Sequence, residues 1–175
     1  MTNRINILLL FVFSLCVNFN IAQNPSLIKS LENELLSLPE SKEKERLKVL
    51  ELLAFHYTGV DPLKSILLAE KQKKSAISLS NNRSIALSIQ TKGVAYHRLN
   101  DKENAFQYYM EALELSENLK DTALIATIYM NIGTLLSVNG EEEAEKYYQK
   151  AIGLYKRKSD STMLGGAYAN LGAYY

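Results

Sequence analysis

The side chains best suited to acid–base or metal chemistry are scarce in this sequence and do not stand in catalytic spacings. His56 and His97 are its two histidines, and Cys16 is its one cysteine. Neither histidine belongs to the H-E-x-x-H spacing that holds zinc on one face of a helix. The pair Gly165-Gly166 lies within a helical pattern with no strand before it, so it does not indicate a phosphate-binding loop. We therefore expect no enzyme activity, no cofactor and no metal site.

The composition indicates a helical protein whose partners are not nucleic acids. The chain of 175 residues contains 8 Gly and 3 Pro, and this scarcity of helix breakers favours helices throughout. The 20 basic and 19 acidic residues leave a formal charge of +1. Nucleic-acid binding requires a clustered basic face, so we expect no nucleic-acid partner. No pattern for a small-molecule substrate is evident.

The first residues follow the pattern of a secretory signal peptide. Arg4 supplies a positive charge, Ile7 to Val17 form a short apolar run, and Ala22 is a small residue before a cleavage point. The run is shorter than the ~20 residues that a membrane-spanning helix needs. We expect residues 1–22 to be removed and the protein to reach the periplasmic or extracellular side. An uncleaved membrane anchor is the alternative.

Two short motifs alternate along the rest of the chain at a nearly constant interval. Small residues recur at Gly93, Gly133 and Gly172, which are almost evenly spaced. Between these glycines an Ala-x3-Tyr-x2-Ala motif occurs twice, as Ala105, Tyr109 and Ala112 and again as Ala144, Tyr148 and Ala151. Alternating motifs at a fixed period of ~20–50 residues predict a solenoid of helix pairs.

Apolar residues at three- and four-residue spacing predict helices in every segment of this region. The predicted helices run from Ser26 to Leu38, Glu43 to Tyr57, Leu63 to Leu79, Arg83 to Leu99, Lys102 to Asn118, Thr122 to Val138, Glu141 to Arg157 and Thr162 to the end. The turns between them are short and polar, as antiparallel neighbours require. The predicted divisions are a signal peptide at 1–22, an N-terminal helix at 23–40, a degenerate repeat at 41–80, repeats at 81–120 and 121–159, and the first helix of a truncated repeat at 160–175.

The two motifs together resemble those of the tetratricopeptide-repeat family, in its long-period variety. The family places a small residue on the first helix and Ala, an aromatic residue and Ala on the second. The best match is Gly93 with Ala105, Tyr109 and Ala112, and the next repeat follows with Gly133, Ala144, Tyr148 and Ala151. The preceding repeat is looser, with Ala54, Ser65, Ala69 and Gln72. This resemblance covers about residues 43–175 and implies an all-α, right-handed superhelical solenoid of antiparallel helix pairs.

In this family the first helix of each pair lines a concave groove. Helical geometry points the residues three and two before the small position, and one and four after it, into that groove. The candidate binding residues are Gln90, Thr91, Val94, His97, Met130, Asn131, Thr134 and Asn170. Asn131 and Asn170 hold the same repeat position, and their amides could bond a peptide backbone because an amide both donates and accepts. The alternative is that both are ordinary exposed polar groups or bond within their repeat.

Together with the export expected from the N-terminal pattern, the resemblance implies a scaffold that binds a peptide or protein segment of mixed apolar and polar character, without catalysis. The alternative is the N-terminal sensory region of a bacterial histidine kinase or transcriptional regulator. That interpretation rests on the resemblance of exported repeat arrays to such regions. It expects the sequence to be a fragment, with its output domain following Tyr175. A membrane would then be reached only through an uncleaved N-terminus or through that following region.

Overall fold

The computed structural model describes residues 25–138, 140–158 and 161–175, and these ranges contain eight α-helices and no strand. The helices are α1 Pro25–Ser37, α2 Glu43–Tyr57, α3 Pro62–Ser78, α4 Asn82–Arg98, α5 Lys102–Asn118, α6 Thr122–Ser137, α7 Glu143–Lys158 and α8 Ser161–Tyr174. The predicted all-α fold is confirmed. The predicted signal peptide at 1–22 lies outside the described residues. The largest difference at a helix start is in α7, which begins at Glu143 rather than at Glu141.

Successive helices pack against one another in chain order, from α1 to α8, which is the arrangement of a solenoid. The first helices of the predicted pairs also contact each other, α2 with α4, α4 with α6 and α6 with α8. Apolar side chains fill the space between the helices, with one buried cluster on α4 to α7 and another on α1 to α3. No helix within the described ranges combines the length and the apolar character needed to cross a membrane.

The turns between helices recur at a fixed interval with the same backbone conformation. Ser80, Asn100, Lys120 and Gly140 are evenly spaced and all have positive φ, between 51° and 67°. In each turn the following N–H bonds back to a helix carbonyl, as Asp101 N–H does to the Tyr96 carbonyl at 2.9 Å. This is the bond that closes a helix with a left-handed residue after it. Two consecutive turns complete one repeat, which accounts for the period in the sequence.

Short acceptor side chains then start the next helix. Their oxygens accept the backbone N–H three residues later, which satisfies a donor that the first helical turn leaves free. The four caps are Asp61 to Lys64, Asn81 to Ser84, Asp101 to Asn104 and Asp121 to Leu124. One left-handed residue followed by one capping residue therefore reverses the chain in the turns at Ser80, Asn100 and Lys120.

An aromatic ring seated on a glycine joins the two helices of each full repeat. A Cβ atom built on Gly93 would lie 2.6 Å from a ring carbon of Tyr109, and one built on Gly133 would lie 2.7 Å from a ring carbon of Tyr148. Both tyrosines are buried. Only the missing side chain of glycine lets the helix backbone approach the ring this closely. We call each of these contacts a glycine–tyrosine seat.

The looser repeat closes its helix pair in another way. Ala54 stands in the place of the glycine and Ala69 in the place of the tyrosine, and both are fully buried. A small residue opposite a small residue leaves room for the Cβ of Ala54. The Ser65 hydroxyl donates to the Ala54 carbonyl at 2.7 Å, so a hydrogen bond joins α2 to α3 where the ring is missing. The buried Gln72 amide donates to the Ser84 carbonyl at 3.0 Å and joins α3 to α4, the first helix of the next repeat.

A polar cluster attaches α1 to the solenoid. The carboxylate of Glu32 accepts hydrogen bonds from the Tyr57 hydroxyl at 2.6 Å and from the Lys64 ammonium at 2.8 Å. The hydrogen bond to Glu32 raises the pKa of Lys64 to about 12. The cluster joins three helices, so α1 packs as part of the array.

The glycine–tyrosine seat predicts opposite effects for the same substitution at two helical glycines. Gly93→Ala forces a methyl group into the Tyr109 ring and should lower the free energy of unfolding by about 1–3 kcal/mol. Gly153→Ala, where nothing lies within 4 Å of the new Cβ, should raise it by up to about 1 kcal/mol through helix propensity. Urea denaturation followed by circular dichroism measures both. Equal stability of the two variants would contradict the seat.

Candidate functional site

The four first helices α2, α4, α6 and α8 place equivalent residues along one side of the solenoid. The equivalent positions lie two residues before and one after the small residue of each helix, which is Ala54, Gly93, Gly133 or Gly172. We call the surface formed by these residues the first-helix face. It comprises Leu52, Phe55, Thr91, Val94, Asn131, Thr134, Asn170 and Ala173.

The α2 end of the first-helix face is apolar and open. Leu52 is 48% exposed and Phe55 is 46% exposed, although both are large hydrophobic residues. Neither was among the residues predicted from sequence. Counting from Ala54 in the same way as from Gly93 would have identified both, since they occupy the positions of Thr91 and Val94.

The α4 section of the face is more closed than its sequence indicates. Gln90 is 8% exposed and Thr91 is 5% exposed, so both offer little surface to a ligand, while Val94 and His97 are half-buried. Burial, helped by the positive charge of Arg98, lowers the pKa of His97. The lowered pKa favours the neutral imidazole, which can donate one hydrogen bond and accept another.

The α6 section of the first-helix face contains a buried polar group, the side-chain nitrogen of Asn131, that lacks a hydrogen-bond partner among the described residues. Met130, Asn131 and Thr134 are half-buried. The Thr134 hydroxyl donates to the Met130 carbonyl at 2.9 Å and accepts from the Tyr148 hydroxyl at 3.4 Å, so its bonds stay within the repeat. The side-chain nitrogen of Asn131 is buried and has no hydrogen-bond partner among the described residues. Its equivalent on α8, Asn170, is half-buried.

The other candidate groups are the two histidines and the side chains that could bind a metal. No group of three His, Cys, Asp or Glu side chains is close enough there to hold a metal ion. His56 is buried on α2, and its Nδ1 has no hydrogen-bond partner among the same residues. His97 lies on a different helix, so the structure does not combine the two histidines in one described cluster.

The sequence of the central helices decides the family. Residues 82–157, which contain α4 to α6 and almost all of α7, match the model of the tetratricopeptide repeat family. These two helix pairs are tetratricopeptide repeats. The two glycine–tyrosine seats lie in this segment.

A solved structure shows that the fold extends beyond those two repeats. The crystal structure of BtubC (BKLC) from P. vanneervenii superposes with a TM-score of 0.65 over 90% of this chain, at 23% sequence identity. The chain spans 65% of the length of that protein. This likeness concerns the helical-repeat fold. No protein of curated function matches the chain.

Tetratricopeptide repeats are a scaffold for protein–protein interaction and are in general not catalytic. Each repeat stacks on its neighbours, which creates an extended surface rather than an enclosed pocket. A protein partner is therefore the class of ligand that the family supports.

Proposed function

We propose that the first-helix face binds an extended segment of another protein, without catalysis. The single observation that carries this proposal is the side-chain nitrogen of Asn131, a buried donor without a hydrogen-bond partner among the described residues. The same repeat position holds Asn170 on α8. Two amides at equivalent positions of neighbouring repeats suit a ligand that repeats along its length, as a peptide backbone does.

The energetics of Asn131 support a role in binding rather than in folding. Leaving a buried donor without an acceptor costs about 1–3 kcal/mol. The fold gains nothing from that donor, since an alanine would occupy the same helical position without the cost. The side-chain nitrogen is buried in the free chain, so the Asn131 amide would turn outward to donate to a backbone carbonyl of the ligand, and its oxygen could accept a backbone N–H in return. Binding would then remove the cost of the unpaired donor, because the nitrogen gains an acceptor in the complex.

The exposed apolar pair on α2 specifies a second property of the ligand. Leu52 and Phe55 are large and about half exposed, and hydrophobic side chains that remain accessible in a groove serve as anchors for ligand side chains. A bulky apolar side chain of the partner would cover both. The ligand thus combines an apolar anchor at the α2 end with backbone hydrogen bonds at the α6 and α8 end.

Two lysines extend the apolar pair toward the start of α2. Lys44 and Lys48 precede Leu52 by eight and four residues, which places all three on one side of the helix. Both lysines are exposed, and they line a cavity of about 260 Å³ beside the start of α4. Acidic residues next to the apolar anchor of the ligand would complement them.

Removing the two amides tests the binding role separately from stability. The double variant Asn131→Ala with Asn170→Ala should bind at least about 10-fold more weakly, which corresponds to the loss of one or two net hydrogen bonds. Its melting temperature should stay the same or rise, because an unpaired buried donor is removed. The probe is the tightest-binding peptide selected against the full chain from a random library, with affinity measured by fluorescence anisotropy.

A matched pair of apolar substitutions serves as the control for the anchor. Phe55→Ser should weaken binding of the same peptide, whereas Leu67→Ser should not, because Leu67 is even more exposed than Phe55 but lies on the second helix α3. Unchanged affinity in both the amide variant and Phe55→Ser would exclude the first-helix face as the binding surface.

We propose that this scaffold acts after export, on the pattern of Arg4, Ile7 to Val17 and Ala22 at the N-terminus. The expected mature chain begins at Gln23, and sequencing of the N-terminus of the protein expressed in a bacterium checks this. A chain that keeps Met1 and partitions into membranes would favour the uncleaved anchor. The alternative function, as the sensory region of a bacterial histidine kinase or transcriptional regulator, stays an expectation that rests on family resemblance.

A further inference from the structure

The outer side of α3 carries an exposed stripe of leucine, isoleucine and lysine. The stripe begins at Leu63 and continues at steps of four or three residues, which keeps its members on one side of the helix. Leu63 is 63% exposed, Leu67 is 65% exposed and Ile77 is 56% exposed. The two lysines between them are exposed as well. The α3 stripe comprises Leu63, Leu67, Lys71, Lys74 and Ile77.

The repeat fold does not require apolar residues at these positions. Ala105 on α5 and Ala144 on α7 are equivalent to Ser65 on α3. Counted from them, the three apolar positions of the α3 stripe hold exposed polar residues on both other helices. These residues are Glu103, Gln107 and Glu117 on α5, and Glu142, Lys146 and Lys156 on α7. Grouped apolar side chains that stacking does not require indicate an interaction surface.

The two lysines of the α3 stripe give this surface a positive charge. Within the described ranges neither Lys71 nor Lys74 forms an ion pair, unlike the other three charged residues of α3. The pairs of those three are Lys64 with Glu32, Lys73 with Glu111, and Glu70 with Lys92. The one acid of the helix is thus already paired with a lysine of α4. The partner that complements the α3 stripe is therefore both apolar and anionic.

We propose that the α3 stripe binds the surface of a lipid bilayer that contains anionic lipids, with α3 lying in the plane of that surface. The leucine and isoleucine side chains enter the boundary between headgroups and acyl chains, as they do on helices that lie in a membrane interface. The two lysine ammonium groups meet lipid phosphates. This contact is reversible and involves one side of a helix, so it differs from a span or an anchor.

The curvature of the solenoid brings α3 to its outer side, where a flat surface can reach it. The first helices α2, α4, α6 and α8 contact one another in series, and no such series joins α3, α5 and α7 in the described part of the chain. The second helices are therefore spread along the convex side, opposite the concave surface of a repeat array. A bilayer that touches a convex array contacts one helix at a time.

A bilayer fits the α3 stripe better than a protein partner does because the stripe is narrow. A stable protein–protein interface engages about 20–30 residues on each side, whereas the stripe has five residues on a single helix. The surface also changes sign at the next second helix, where Glu111 and Glu114 of α5 replace Lys71 and Lys74. An acidic protein surface broad enough for stable binding would extend over these glutamates and be repelled by them.

Co-sedimentation with lipid vesicles tests the proposal on the chain that begins at Gln23, which retains all eight described helices. Vesicles with equal amounts of phosphatidylcholine and phosphatidylglycerol should bind this chain. Vesicles of phosphatidylcholine alone should bind it at least about 10-fold more weakly, because each lysine near an anionic surface contributes about 5-fold. Added salt should weaken the binding, since it screens the lipid charge.

A matched pair of double variants separates the position of the charge from its amount. Lys71→Ser with Lys74→Ser should bind the mixed vesicles at least about 10-fold more weakly. Lys44→Ser with Lys48→Ser removes the same charge from the first-helix face and should leave vesicle binding nearly unchanged. Circular dichroism melting verifies that both variants fold.

A crossed pair of apolar substitutions separates this proposal from the proposed function. Leu67→Ser should weaken vesicle binding about 5-fold or more, because it removes a side chain that enters the bilayer, and should keep peptide binding. Phe55→Ser should keep vesicle binding and weaken the peptide. Each proposal can therefore fail while the other holds.

A fluorophore identifies the helix that enters the bilayer. The chain from Gln23 has no cysteine, because Cys16 is the one cysteine of the sequence. An environment-sensitive dye on Leu67→Cys should shift to the blue with the mixed vesicles, whereas the same dye on Gln107→Cys, at the equivalent position of α5, should not.

Four results would overturn the proposal. They are no binding to the mixed vesicles, equal binding to both kinds of vesicle, an equal loss in the two double lysine variants, and a blue shift at position 107 without one at position 67. Absence of vesicle binding would leave the α3 stripe to a protein partner.

Discussion

The close approach of a tyrosine ring to a glycine backbone is the contact on which the rest of this structure depends. Tyr109 on Gly93 and Tyr148 on Gly133 bring the two helices of each repeat closer than any other residue in place of glycine would allow. Because the same contact recurs in each tetratricopeptide repeat, every helix pair has the same shape, and pairs of equal shape stack into a regular solenoid. The ion pairs Arg83 to Asp121 and Lys102 to Glu141 then link the repeat at 81–120 to the repeat at 121–159.

The glycine–tyrosine seats also determine which side of each first helix stays accessible. They use one side of each first helix, so a different side is left to form the first-helix face. That face contains features that folding alone does not favour, namely the unpaired amide nitrogen of Asn131 and the exposed side chains of Leu52 and Phe55. Groups that reduce stability where a ligand would compensate them are typical of binding surfaces. In the proposed function, stability and recognition are carried by different sides of the same helices.

Particular residues show how far the sequence alone can predict this protein. Glycine, alanine and tyrosine in fixed spacing predicted the helix pairs, because their sizes determine how closely helices pack. The left-handed turns at Ser80 and Lys120 were not predicted, because neither residue type favours that conformation, and the hydrogen bonds that close the preceding helices hold it in place. The burial of Gln90 and Thr91 depends on neighbouring helices rather than on their own helix. Leu52 and Phe55 were missed because Ala54 marks the repeat less clearly than a glycine does.

The proposed function depends most directly on Asn131, whose side-chain nitrogen should gain a hydrogen-bond acceptor when a protein segment binds. Nuclear magnetic resonance of the side-chain NH2 group of Asn131, recorded with and without a bound peptide, tests it most directly. The account predicts that this resonance moves downfield on binding, as a new hydrogen bond requires, and that backbone shifts concentrate on α2, α4 and α6. An unmoved Asn131 resonance, with shifts concentrated on the second helices α3, α5 and α7, would contradict it.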